Sequence, residues 1–478
     1  MKDVDNDVYY GVKPLLKKER IYSFWDILLA TGAWSIATWC YVQGGQIAEL
    51  LGFKEGLIST ICGIVLAGVI VYLTVIIPTR HGIDIWIYLR AVFGNIGVSI
   101  IALLCLAGIM GYFAINADIF ASSFMNLLGY AGVSISTSWT PWIATTSVLI
   151  GMMIALKGPM AVKTSTRIMV PCLLAIGVFI VFTVFSHFSF SDLASMDPLV
   201  SGKSANTVDY MLVTEWNIAF VLAWFCSLGV LARLVKTERA SYWGHMAGFS
   251  GIMAMFICIG IMTALAMYAA TGTISHDPTD WLVELGGPAL GSISLIFIII
   301  ANITTQGVGV YSFAVSTKVM KPDLKFSIIT IFWSGWTILL IFWGGIWEYY
   351  EVLLAVLGTI SGSACALILA DFYIVRKQKF SMRGLYQIDN STVYKYTKGF
   401  NIPAFISFAL GIFSYFLVYD PINAVPRSDL FQYTTATGLC MLVCSVTYIL
   451  LSKIKPLNNY LRKDVKEEDI KEDIKKSS

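Results

Sequence analysis

Long apolar segments alternate with short polar stretches along the whole chain. About twelve of these segments approach the ~20 consecutive residues that an α-helix needs to cross a bilayer. In chain order, as spans one to twelve, they are Phe24–Leu51, Leu57–Ile77, Ile96–Leu128, Trp142–Leu156, Ile168–His187, Asn217–Val235, Trp243–Ala270, Ala289–Thr317, Phe326–Trp347, Val352–Val375, Ile402–Tyr419 and Phe431–Leu451. The pattern predicts an all-α integral membrane protein with about twelve transmembrane helices.

Span one departs from the pattern of a plain apolar anchor. Its middle, Thr31–Thr38, reads TGAWSIAT, and Gln43–Gln46 follows with QGGQ. Small and hydroxylated residues stand where lipid-facing leucines are expected. A helix that breaks at mid-membrane needs such residues, because its freed backbone groups must line a cavity or bind a ligand. The pattern therefore favours a transporter.

Span six repeats this departure five spans later. Its segment Ala223–Gly229 reads AWFCSLG, so small and polar residues again interrupt an apolar helix, with aromatic residues beside them. A separation of five is expected if spans one to five and six to ten are inverted repeats with discontinuous helices one and six. Alternatively, the small residues form packing faces between continuous helices.

The composition supports a membrane protein. Hydrophobic residues make up 57% of the 478 residues and charged residues 13%, whereas a soluble domain carries roughly a quarter charged residues. The nine cysteines have no paired spacing, and the four histidines are scattered. Neither a disulfide framework nor a histidine metal cluster is therefore predicted.

The distribution of positive charge predicts the orientation. With the N-terminus inside, all of the 33 Lys and Arg residues except Lys54, Lys203 and Arg427 fall in inner segments. This bias follows the positive-inside rule. We therefore expect a multi-pass protein of the cell (plasma) membrane, with an even number of spans and both termini in the cytoplasm.

Span three carries an aromatic residue and an amide on one helical face. Tyr112 and Asn116 are four residues apart, so they are neighbours on the helix surface. A flat heterocycle can stack on the ring and exchange hydrogen bonds with the amide. Alternatively, Asn116 bonds a neighbouring helix. Asp118, deep in the same span, is a candidate for proton coupling, unless it is paired or reaches an interface.

Span eight contains two adjacent hydroxyls, Thr304 and Thr305. Hard cations prefer several oxygen ligands, which two hydroxyls and the carbonyls of an unwound helix can supply. Alternatively, each threonine bonds a carbonyl of its own helix, which is common.

At these residues the chain resembles the nucleobase–cation symporter-1 family, which includes the cytosine, purine, allantoin and hydantoin permeases. The resemblance covers most of the chain. It rests on Gly32–Gly45, on YFAIN at Tyr112–Asn116, on FCSLG at Phe225–Gly229, on Thr304–Thr305 and most specifically on ADFYIVR at Ala370–Arg376.

The resemblance implies a LeuT-type fold with ten core helices in two inverted repeats and two further C-terminal helices. The repeats would occupy residues 24–190 and 191–400, and the accessory helices residues 401–452. Residues 1–23 and the charged tail 453–478 would be cytoplasmic.

The resemblance also implies a substrate held at mid-membrane between spans one, three, six and eight. The candidate substrate-binding residues are Tyr112, Asn116, Trp224, Phe225, Ser227, Ala37 and Gln306. The implied Na⁺ ligands are backbone oxygens of Ala33, Ile36 and Ala301 with the hydroxyls of Thr304 and Thr305. The family often has an asparagine one turn after the threonine pair, where this chain has Val310, so the identity of the heterocycle stays open.

We therefore predict a secondary active symporter that imports a nucleobase or related planar nitrogen heterocycle. Coupling would be to Na⁺ or H⁺ by alternating access, with no other cofactor and no nucleic-acid partner. An amino-acid or amine carrier of the same fold is the nearest alternative. An intramembrane enzyme would need a nucleophile–base pair or a metal site at depth, which the scattered histidines and lone Asp118 do not supply.

Overall fold

The computed structural model describes residues 13–200, 206–387 and 392–464. Its α-helices are Phe24–Ser35, Thr38–Leu50, Phe53–Val71, Ile76–His81, Ile85–Phe93, Gly97–Tyr130, Thr140–Leu156, Pro159–His187, Phe190–Ala194, Thr207–Ala223, Phe225–Ala232, Glu238–His245, Ile252–Thr271, Pro278–Met320, Phe326–Trp343, Tyr350–Leu369, Met382–Tyr386, Ile402–Val418, Phe431–Thr434, Ala436–Lys453 and Lys455–Leu461. The π-helical turns are Met246–Gly251 and Ala370–Val375, and the 3₁₀ helices are Lys17–Glu19, Thr137–Trp139 and Val393–Lys395. The strands Tyr419–Asp420 and Val425–Pro426 pair antiparallel.

The helices confirm the prediction of an all-α membrane protein. In the described ranges, nine helices are long and apolar enough to cross a membrane, or ten if the bent pair in span six counts as one span. Span eleven has a helix of 17 residues, and span one consists of helices of 12 and 13 residues. Each predicted span contains at least one helix. Residues 1–12 and 465–478 of the predicted terminal segments lie outside the described residues.

Several helices extend beyond their predicted bounds because their first turns are polar. The helix of span six begins at Thr207 and not at Asn217, after Asn206 accepts a hydrogen bond from the Asp209 backbone N–H. The helix of span eight begins at Pro278, with a kink at Gly287 (φ 67°). Apolar periodicity does not detect such capped polar turns.

Both predicted helix breaks are present. The first helix of span one ends at Ser35, Ala37 is extended (φ −72°, ψ 159°), and the second helix begins at Thr38. In span six, Trp224 (φ −94°, ψ 0°) separates two helices that are bent by 40°. The Ser35 hydroxyl donates to the Phe249 carbonyl oxygen at 2.8 Å, which ties the break of span one to the π-helical turn of span seven.

The second half of span one packs on span seven through two glycines. A Cβ added to Gly44 would lie 2.2 Å from the Ile257 carbonyl oxygen and 2.6 Å from the Ile261 nitrogen. A Cβ added to Gly260 would lie 2.5 Å from the Tyr41 carbonyl oxygen. Backbone therefore contacts backbone at this crossing, as is typical of small residues between membrane helices.

Replacement of Gly44 by alanine should destabilise the protein by about 1–3 kcal/mol, because the new methyl group meets backbone atoms that cannot rotate away. Thermal unfolding of the detergent-purified variant measures the effect. The matched control is Gly335→Ala in the helix of span nine, where nothing lies within 4 Å of an added Cβ. Equal melting temperatures for the two variants would contradict the packing argument.

A buried ionic network lies at the C-terminal end of span ten. The Arg376 Nε donates to Asp371 Oδ2 at 2.8 Å, and the Arg376 guanidinium also pairs with Asp464. Asp371 accepts further hydrogen bonds from the hydroxyls of Tyr88 at 3.0 Å and Tyr448 at 2.8 Å. The Arg376 and Asp371 side chains are fully buried. The ADFYIVR string thus fastens span ten to the chain that follows span twelve.

Replacement of Arg376 by alanine should cost about 3–5 kcal/mol of stability, because it leaves two buried carboxylates without their cation. The measurements are protein yield and melting temperature in detergent. Arg427→Ala removes the exposed pair with Asp420 and should change the melting temperature little. Equal melting temperatures for Arg376→Ala and Arg427→Ala would show that the network does not stabilise the protein.

Candidate functional site

A small cavity lies where spans one, three, six and eight meet. Both helix breaks contribute to its wall. The lining residues are Ala33, Trp34, Ala37, Trp39, Phe113, Trp224, Ser227, Thr305, Val308, Gly309, Ser312 and Phe313. The space inside amounts to ≈ 20 Å³, about enough for one water molecule, so a ring can bind only after wall side chains move.

Five of the twelve lining residues are aromatic. The Trp39 and Trp224 ring centroids are 5.4 Å apart at 30°, and those of Trp34 and Trp224 are 6.3 Å apart at 38°. Phe113 meets Phe313 edge-on at 5.5 Å. Trp39 follows the break of span one and Trp224 forms the break of span six. The irregular backbone therefore directs tryptophans to the cavity.

Hydroxyls supply the polar side chains of the wall. They belong to Ser227, Thr305 and Ser312, and none of the described lining residues has an ionisable side chain. The Ser312 hydroxyl donates to the Val308 carbonyl oxygen at 2.8 Å. An apolar slot with a few polar groups and no charge suits an uncharged flat ligand.

Gly309 makes room for one of the aromatic walls. A Cβ added there would lie 1.9 Å from Phe113 Cε1, so only glycine allows this ring to pack against span eight. Sequence reasoning did not single out Phe113 or Gly309 as cavity residues. The spacing of Thr305, Gly309 and Ser312 could have identified this face of span eight as a cavity wall. These residues are four and three positions apart, so they lie on one face of the helix.

The predicted substrate-binding residues divide into two groups. Ala37, Trp224 and Ser227 line the cavity. Tyr112 lies outside the lining, with its ring stacked on Trp224 at 6.1 Å and 17°. Phe225 is fully buried outside the lining as well, since the break places the preceding residue, Trp224, in the wall.

The two predicted amides join helices behind the wall. Asn116 Oδ1 accepts from the Thr38 hydroxyl at 2.9 Å, and Asn116 Nδ2 donates to the Asn302 carbonyl oxygen at 3.2 Å. Gln306 Nε2 donates to the Phe113 carbonyl oxygen at 2.6 Å. Both side chains therefore connect span eight to span three, which is the alternative that the sequence left open for Asn116.

The predicted sodium ligands lie beside the cavity. The hydroxyls of Thr304 and Thr305 donate to the Ala301 carbonyl oxygen at 2.9 and 2.8 Å. Ala33 lines the cavity together with Thr305, and Ile36 is buried at the break of span one. The structure thus brings the break of span one next to the threonine pair. A hydroxyl that donates its proton keeps acceptor sites on its oxygen.

Asp118 lies away from the cavity. Its Oδ2 accepts a hydrogen bond from the Trp347 indole at 3.1 Å, and it does not belong to the lining. The carboxylate therefore links span three to the segment that follows the helix Phe326–Trp343.

Sequence comparisons agree with the geometry. The family model described as permease for cytosine/purines, uracil, thiamine, allantoin matches residues 15–429. The purine-uracil permease NCS1 of Arabidopsis thaliana is 21% identical over 423 residues, which cover 84% of this chain and 69% of that protein. The allantoin permease of Bacillus subtilis (strain 168) is 25% identical over 236 residues, which cover 47% of this chain and 45% of that protein.

Solved structures confirm the LeuT-type fold. Mhp1, a nucleobase-cation-symport-1 family transporter, superposes in a closed conformation with bromovinylhydantoin bound at a TM-score of 0.74 and 16% identity, covering 95% of both chains. Its inward-facing conformation gives 0.76 and 17%, covering 94% of this chain and 97% of that one. Taken with the family model and the curated permeases, the fold and the cavity lead to one conclusion: the chain belongs to the nucleobase–cation symporter-1 family and is a nucleobase transporter, not an enzyme.

Proposed function

We propose that this chain is a secondary symporter that moves a planar, uncharged nitrogen heterocycle together with Na⁺. One observation carries the proposal: both helix breaks, an aromatic slot and Thr305 meet in a single cavity. We further propose that both termini are cytoplasmic in the plasma membrane. Residues 24–190 and 191–400 would be the two repeats, with 401–452 as accessory helices.

The chemistry of the wall supports a neutral ring as substrate. Tryptophan and phenylalanine faces stack on flat rings and bury them at little cost in side-chain entropy. An amino-acid or amine carrier would have to neutralise the two charges of an amino acid, or the single charge of an amine, with half-helix ends and carbonyls alone, because no described lining side chain is ionisable. The wall therefore favours the heterocycle over the zwitterion.

The position of the threonine pair supports coupling to sodium. An ion held by the Thr304 and Thr305 hydroxyl oxygens and by carbonyls of Ala33, Ile36 and Ala301 would fix the break of span one against span eight. The same break positions Trp39 in the cavity wall. Binding of the ion would therefore favour the state that binds the ring, and binding of the ring would favour the state that binds the ion. Such linkage is typically worth ~1–3 kcal/mol. Asp118 is paired with Trp347 outside the cavity, which makes it a weaker candidate for coupling.

Uptake into proteoliposomes tests the function. The panel would contain pyrimidines, purines, allantoin and hydantoins, with free amino acids as competitors, each with and without an inward sodium gradient. We expect sodium-dependent accumulation of a heterocycle and no competition by amino acids. Accumulation of an amino acid would contradict the proposed substrate class. Uptake that depends on a proton gradient and not on sodium would contradict the proposed coupling ion.

Replacement of Thr305 by alanine should raise the sodium concentration for half-maximal uptake by about tenfold or more, since a hard cation loses one oxygen ligand. Sodium titration of uptake, normalised to protein amount, measures the shift. The matched control is Thr330→Ala, which removes another buried hydroxyl that bonds its own helix, here to the Phe326 carbonyl at 2.8 Å. Identical sodium curves for both variants would remove Thr305 from the ion site.

Trp224→Ala should raise KM for the transported ring by about tenfold or more, because stacking area is lost from the wall. Phe225→Ala removes a neighbouring buried ring that lies outside the lining and should lower protein yield more than affinity. Initial rates normalised to protein amount separate the two effects. If Phe225→Ala raised KM more than Trp224→Ala, Phe225 and not Trp224 would be the residue that stacks on the transported ring.

A further inference from the structure

The two tryptophans at the helix breaks carry polar groups that the protein does not satisfy. Trp39 and Trp224 are 2% and 4% exposed, and both line the cavity. Within the described part of the chain, neither indole nitrogen has a hydrogen-bond partner. A buried donor without a partner is unfavourable, and native structures keep few of them without a reason.

An indole N–H group restricts which ligand atoms can bind beside it. The indole N–H donates and cannot accept, so Trp39 and Trp224 can satisfy only acceptor atoms of a ligand. Both residues line the same cavity and their ring centroids are 5.4 Å apart, so a ligand bound there would lie beside both. We infer that this cavity selects rings that bear carbonyl oxygens over rings that bear amino groups, an inference that rests on the proposed transport function.

Acceptors for a ligand amino group are scarce in this wall. The Asn116 amide bonds Thr38 and the Asn302 carbonyl. Gln306 Nε2 donates to the Phe113 carbonyl oxygen, whereas Gln306 Oε1 is buried without a partner among the described residues. Neither residue belongs to the lining. The remaining polar side chains of the wall are the hydroxyls of Ser227, Thr305 and Ser312, and their oxygens are the side-chain acceptors that the wall offers. An amino group would therefore face donors at the indoles, whereas a carbonyl oxygen would pair with them.

Uracil and cytosine provide the matched probes, because cytosine carries an amino group where uracil carries a carbonyl oxygen. Dissociation constants are measured by calorimetry on the detergent-purified full chain, with hydantoin and adenine as a second pair. We expect uracil and hydantoin to bind about tenfold or more tightly than cytosine and adenine, since unpaired groups in a polar site penalise the wrong ligand.

Trp39→Phe and Trp224→Phe remove each N–H and keep an aromatic ring. Each substitution should weaken uracil binding about three- to tenfold. Each should also reduce the preference for uracil over cytosine, measured as the ratio of their dissociation constants. Trp86→Phe is the control, because Trp86 is also buried and its indole nitrogen also lacks a hydrogen-bond partner in the described part of the chain, but Trp86 does not line the cavity. This control should leave the ratio unchanged.

The outcomes separate the inference from the proposed function. If cytosine binds the unmodified protein as tightly as uracil, or if both tryptophan variants keep the ratio, the inference is wrong and the transport proposal stands. If none of the four rings binds the folded protein, the proposed substrate class fails and the inference fails with it. Melting temperatures of the variants show whether each is folded.

Discussion

The hydrocarbon interior offers no hydrogen-bond partner, so a helix that breaks there must have its freed backbone groups covered by protein. In span one this cover comes from span seven. The Ser35 hydroxyl bonds the Phe249 carbonyl, and Gly44 and Gly260 bring the two backbones into contact. Without this packing, neither Ala37 nor the tryptophan that follows it would have a fixed position in the cavity.

A second layer of contacts supports the cavity wall. Tyr112 stacks on Trp224 from behind, and Asn116 bonds both Thr38 and the Asn302 carbonyl. These contacts join span three to span eight and to the second half of span one. Residues that sequence reasoning assigned to the ligand thus orient the residues that line the cavity. Preorganised walls of this kind reduce the entropy that binding has to offset.

The sequence predicted the fold class, both helix breaks and the presence of Ala37, Trp224, Ser227 and Thr305 near one another. It did not predict the contribution of Trp39 or of Phe113. Apolar spans have little amphipathic pattern, so the sequence does not show which face of a helix points inward. At a break the helical phase also changes, which explains why Trp224 enters the wall and Phe225 does not.

Span twelve is attached to other spans at both of its ends. At one end, the backbone N–H of Thr437 donates to the buried Glu215 carboxylate of span six at 2.9 Å. At the other end, Tyr448 and Asp464 join the network of Asp371 and Arg376. Span twelve therefore cannot shift without disturbing buried charges in spans six and ten, and leaving such charges unpaired is strongly unfavourable. Span one and span eight are joined differently, by a buried hydrogen bond from the Thr38 hydroxyl to Asn302 Oδ1 at 3.2 Å, and none of the described residues that line the cavity between them is charged.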